Sequence, residues 1–155
     1  MRFLLLAMIL VPIAALAGPR FLGTWKSSSE LSMEFNKAHA NLAPHQIDFL
    51  NGVLGRSEAR ITEAAYIQCD PDRDFMLNDR VVHWKGTKFA VPYEVAFESD
   101  STAILTFKWP DGVVRPEVLH FVDDDTFWIY LGDAPEVLDL HAREYFKRVE
   151  DRACI

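Results

Sequence analysis

The chain has 155 residues, half of them hydrophobic, with two cysteines and a formal net charge of -7. Its length is that of one domain, and its acidity argues against nucleic acid or anionic lipid as a partner, because like charges repel. Beyond the N-terminal stretch, no apolar run approaches the length of a membrane span.

The first segment reads as an export signal. Arg2 supplies a positive charge, the stretch from Phe3 to Leu16 is almost wholly apolar, and Ala15-Leu16-Ala17 has the small-x-small pattern of a cleavage site. This three-part plan predicts a signal peptide over residues 1–17 and one domain over 18–155, periplasmic or secreted, with no stable membrane anchor. The rival reading is a retained anchor helix, against which Pro12 and the Ala-Leu-Ala ending speak. Export would place Cys69 and Cys154 in an oxidising compartment, where pairing is the default. Such a bond closes a long loop, worth roughly 4 kcal/mol before strain. Two free thiols are the alternative.

In chain order, Phe21 to Lys26 reads as a short first strand. Ser27 to Glu30 has capping-box spacing, with Ser27 as N-cap. Leu31, Phe35, Ala38 and Leu42 then recur at helical spacing. Pro44 suits the first turn of a second helix, with Ile47, Leu50 and Leu54 on one face; Gly52 and Gly55 weaken and stop it. Strands follow over Ile61 to Gln68, Arg80 to Lys85, Phe89 to Glu98, Thr102 to Trp109, Val113 to Val122, Thr126 to Leu131 and Ala142 to Val149. Between them lie turns such as Ser99-Asp100-Ser101, Pro110-Asp111-Gly112 and Asp123-Asp124-Asp125, and a loop over Gly132 to Leu140. The expected fold is mainly β: an eight-stranded antiparallel up-and-down barrel with a two-helix insertion after the first strand. Closure removes exposed strand edges, and eight strands can enclose one small ligand.

Two segments resemble the calycins, the superfamily of lipocalins and fatty-acid-binding proteins. Phe21-Leu22-Gly23-Thr24-Trp25-Lys26 resembles the G-x-W opening of the first strand. Arg143-Glu144-Tyr145 resembles the R-x-Y of the last strand in the fatty-acid-binding branch. The resemblance implies that Gly23 lets the first strand bend and that Trp25 plugs the closed end beneath a late cation, Arg148 or Arg152. It further implies that Arg143 and Tyr145 point into the barrel and hold a ligand carboxylate. Spacing by two places both on one strand face, and a buried guanidinium needs an anion.

Further lumen candidates are Phe89, Val91, Tyr93, Val95 and Phe97 on one face of a strand, with Arg115 if it faces inward. His120 shares a face with Val118 and Val122; it could touch a ligand or haem, or simply be a hydrogen-bonded core histidine. Asp70, Asp72 and Asp74 have the spacing of a calcium loop, but Phe75 and Val81 stand where Gly and Glu are required, so a solvated acidic loop is expected. No nucleophile constellation or phosphate loop appears. The leading expectation is a carrier or sensor of a hydrophobic small molecule, with no catalytic role, metal or cofactor. The alternatives are a filled barrel serving as a protein-interaction module, and a haem-dependent barrel enzyme using His120.

Overall fold

The computed structural model describes residues 18–109, 112–131 and 141–150. The expected signal peptide, the turn residues Pro110 and Asp111, the loop over 132–140, Arg152 and Cys154 lie outside the described residues.

Nine strands form one antiparallel sheet: β1 (Gly23–Ser27), β2 (Glu58–Ile61), β3 (Tyr66–Asp70), β6 (Thr87–Val91), β7 (Tyr93–Glu98), β8 (Thr102–Lys108), β9 (Val114–Asp123), β10 (Thr126–Tyr130) and β11 (Arg143–Val149). Their order is β6-β3-β2-β1-β11-β10-β9-β8-β7. The last strand therefore rejoins the first, with Trp25 opposite Arg148 and Ser27 opposite Phe146. The two sheet edges, β6 and β7, are separated by Pro92 alone, so the sheet curls back on itself as a nearly closed barrel. Side chains bridge the seam. The Tyr93 hydroxyl donates to the Thr62 carbonyl at 2.6 Å. The rings of Phe89 and Trp109 lie 4.9 Å apart, as do those of Tyr66 and Phe107.

The count of eight strands is corrected to nine, with changed membership. The strand expected over 61–68 is two strands, turned by Thr62, whose hydroxyl accepts from the Ala64 and Ala65 amides. The strand expected over 89–98 breaks at Pro92, which has no N–H to offer a ladder. The strand expected over 80–85 is not in the barrel. It is β5 (Arg80–Trp84), and it pairs only with β4 (Arg73–Leu77) as a separate hairpin. Asn78 and Asp79 turn that hairpin with φ of 52° and 59°, the left-handed pair that a tight two-residue turn requires.

Two helices follow β1, α1 (Ser29–His39) and α2 (Pro44–Val53). The N-cap of α1 is Ser28, one residue later than expected; its Oγ accepts from the Leu31 amide at 3.4 Å. Ser27 stays in the strand. The expected apolar stripe is also displaced, since α1 buries Ser32, Met33 and Asn36. The cause is where α1 lies. Once β1 ends, α1 takes its place along the edge of β11. The Ser28 amide donates to the Tyr145 carbonyl, the Tyr145 amide donates to Ser32 Oγ, and Asn36 both accepts from and donates to the Arg143 backbone at 2.9 Å. Ser32 and Asn36, four residues apart on one helix face, thus satisfy strand groups that would otherwise be orphaned.

Two cores result. The barrel core holds Phe21, Trp25, Ala59, Ile61, Val91, Ala103, Leu105, Phe107, Leu119, Phe121, Phe127 and Phe146. The second joins the helices to the hairpin through Met33, Phe49, Leu50, Leu54 and Ala142, with Phe75 and Leu77 against them. Here Gly52 is a contact rather than a weak point: a Cβ on it would stand 2.2 Å from the Phe75 ring. Helices and hairpin together form a lid at the end where β1 finishes.

Candidate functional site

Strand alternation sorts the side chains, because successive residues face opposite sides of a sheet. On β11, Phe146 belongs to the barrel core. Glu144 is buried on that same inner face. Arg143 and Tyr145 therefore face outward. The Arg143 guanidinium lies between two rings, 4.1 Å from Phe35 of α1 and 3.8 Å from Trp128. Tyr145 packs beside Phe35. The expectation that these two residues look into the lumen is corrected: the sheet register points them at α1 and the outer surface.

The same parity moves His120. It alternates with core residues Leu119 and Phe121 and stacks on Trp128 at 4.0 Å, outside the barrel. Burial, then the neighbouring Arg143 charge, lowers its pKa. A ligand or haem in the lumen would not reach it.

Of the residues expected to line the lumen, Phe89, Val91 and Tyr93 pack on the barrel core. Phe97 does not. A bulge between Val95 and Phe97 shifts the register, so that Phe97 stands opposite Ile104 on the outer face, half exposed. Val95 is exposed to a similar degree. Arg115 stands opposite the inward-facing Phe107, at the rim, with its guanidinium 5.7 Å from the Trp109 ring. Arg148 crosses the Trp25 indole at 4.2 Å. Gly23, at φ 140°, leaves the room: a Cβ there would meet Arg148 Nη1 at 2.4 Å. Cys69 is buried on β3.

Trp25, Phe21, Phe121, Phe127 and Phe146 belong to one aromatic core, with Trp25 and Phe127 in edge contact at 4.7 Å. Polar side chains share this interior. Tyr66 and Gln68 stand opposite Ile61 and Ala59 and so point inward; Glu117 does too, opposite Leu105. The Tyr66 hydroxyl donates to Gln68 Oε1 at 3.1 Å, and Gln68 Nε2 donates to Asp70 at 3.0 Å. Asp70 also accepts from Ser57 and Thr87. Ser27 Oγ accepts from the Gly55 amide and donates to Glu144 at 2.5 Å.

The electrostatics follow from this crowding. Burial pushes the Glu144 carboxyl up to about 7, opposed by the Ser27 hydrogen bond. Burial, then the carboxylates of Glu117, Glu144 and Asp70, raise the Tyr66 hydroxyl well above its ordinary value. Among the described residues, buried donors without acceptors are Trp109 Nε1, Nε and Nη1 of Arg73, and Nε of Arg20 and Arg143. Such atoms are costly when buried.

None of Tyr66, Gln68, Arg73, Glu117 and Glu144 stood out in the sequence. Parity against Phe146 was the available signal for Glu144. The three aspartates of the acidic loop do not converge: Asp72 accepts from the Gly86 amide, Asp74 pairs with His83, and Asp70 accepts from Gln68. Among the described residues no cluster of three or more His, Cys, Asp or Glu could hold a metal, and no helix is long and apolar enough to cross a membrane.

No protein-family model matches the chain, and no curated protein or solved structure matches it either.

Proposed function

We propose that the chain is an exported calycin-like binding protein for a small, largely apolar molecule, held in the lid half of the barrel. The reading rests on one contrast. The barrel core is lined with aromatic side chains, yet Trp109 Nε1 and two N–H groups of Arg73 are buried with no acceptor among the described residues. An unsatisfied buried donor costs about 1–3 kcal/mol, and a bound molecule offering an acceptor offsets that cost. Aromatic walls beside a few fixed polar groups are the usual composition of a small-molecule site. Phe89, Phe107 and Trp109 supply the walls. In this reading the protein is a carrier or sensor and not an enzyme, and Cys69 is tied to Cys154 in an oxidising compartment.

Titration with the fluorescent apolar probe 1-aminoanthracene tests the reading. Saturable emission at one probe per chain is expected. No saturable uptake would favour the second reading, a binding module for another protein, which rests on Val95 and Phe97 standing half exposed on the edge strand β7.

A further inference from the structure

The cations at the ends of this barrel are not equivalent. Arg148 is committed: it donates to the Leu22, Arg20 and Asp124 carbonyls and to Asp125 Oδ1. Arg20 pairs with Asp124 at 2.6 Å. Arg143 is enclosed between rings on the outer face. Arg20 and Arg143 each leave one buried N–H, at Nε, without an acceptor among the described residues, whereas Arg73 leaves two, at Nε and Nη1. Arg73 opens β4 at the neck of the lid, and the Trp84 ring covers it at 5.0 Å.

The carboxylates that act on Arg73 are Asp70 and Glu144. Both have other hydrogen-bond partners. Asp70 Oδ1 accepts from Ser57, and Oδ2 from Gln68 and Thr87; Glu144 accepts from Ser27. Desolvation is the main influence on the guanidinium and lowers its pKa. A guanidinium partly withdrawn from water gains from a hydrogen-bonded counter-ion. Charge-assisted bonds to a carboxylate are the strongest remedy available to an arginine.

We propose that Arg73 anchors a carboxylate on the bound molecule, with the head group at the neck of the lid and the apolar part running toward Phe89 and Phe107. This inference rests on the small-molecule reading above. A monoanion suits the site better than a dianion such as a phosphate monoester. Asp70 and Glu144 already act on Arg73, and a second negative charge on the ligand meets their repulsion.

Isothermal titration calorimetry of the purified protein with decanoate and with decan-1-ol tests the anchor. The unsubstituted protein is expected to bind decanoate about tenfold or more tightly than the alcohol, the gain of one or two charge-assisted bonds. Arg73→Gln is expected to remove that preference while leaving the alcohol within about twofold, and Arg73→Lys to keep part of it. Arg143→Gln is expected to leave both within about twofold. Retained alcohol binding also shows that each variant is folded. Decanoate binding unchanged in Arg73→Gln, or an unsubstituted protein that takes the alcohol with no preference for the acid, overturns the anchor alone. Binding of neither probe by the unsubstituted protein overturns the anchor and the small-molecule reading together.

Discussion

The guanidinium of Arg148 lies 4.2 Å over the Trp25 ring while two of its nitrogens donate to the Leu22 and Arg20 carbonyls. One side chain from the last strand thus covers the indole and fastens the segment entering the first. Trp25 itself donates to the Phe21 carbonyl at 2.9 Å, so the plug is held from both sides. Arg148→Ala is expected to lower the unfolding free energy by about 2–4 kcal/mol, read from urea denaturation. Arg148→Lys recovers less than half, because an ammonium cannot lie flat on a ring and serve several carbonyls at once.

Asn36 replaces a missing strand. Its side chain makes both hydrogen bonds to the Arg143 backbone, and the residue is almost wholly buried. Asn36→Leu keeps the volume and orphans a backbone N–H and C=O. A loss of about 2–4 kcal/mol is expected. Hydrogen exchange should show it locally, as faster exchange at the Arg143 and Tyr145 amides before the rest of the sheet responds.

Glu144 makes stability fall toward alkaline pH. Its carboxyl titrates near 4.5 in the unfolded chain and at about 7 in the fold. Between those values the folded state holds the extra proton, so raising pH through that window favours unfolding. The groups bearing on it are Ser27, Asp70 and Arg73. Glu144→Gln keeps the Ser27 contact without the charge. It is expected to raise stability at pH 8 by on the order of 2 kcal/mol, to change little at pH 4.5, and to flatten the profile between. A variant whose melting temperature tracks the unsubstituted protein across that range contradicts the assignment.

Arg143 has a structural part to play. Held between Phe35 and Trp128, it ties α1 to the outer face of the sheet. Arg143→Gln is expected to cost about 1–2 kcal/mol of stability through the lost cation–π contacts, measured by thermal melting.

Much of the barrel was legible because its strands alternate. Ala103, Leu105 and Phe107 are buried and their neighbours are not, and the turn at Ser99 to Ser101 joins them to β7 as the serine and aspartate content predicts. The last strand was misread because Arg143 to Val149 carries large or charged groups on both faces. A helix covers its outer face and polar groups occupy its inner one, so hydrophobic alternation does not indicate which is which. Only the partners decide: Phe146 meets Phe127, and Tyr145 meets Trp128. The lid hairpin was missed because Asn78 and Asp79 make its turn without a glycine. With β4 read as an acidic loop, nothing in the sequence marks Arg73 as part of a lid.

The central claim is that a bound molecule sits in the lid half of the barrel, and four tryptophans report on it from four places. Trp25 lies beneath Arg148, Trp84 on the hairpin, Trp109 against Phe89 and Trp128 on the outer face. Their indole N–H resonances can be followed by NMR while decanoate is added. The account predicts shifts at Trp109 and Trp84 with Trp25 and Trp128 unmoved. Shifts confined to Trp128, or none at saturating ligand, would contradict it.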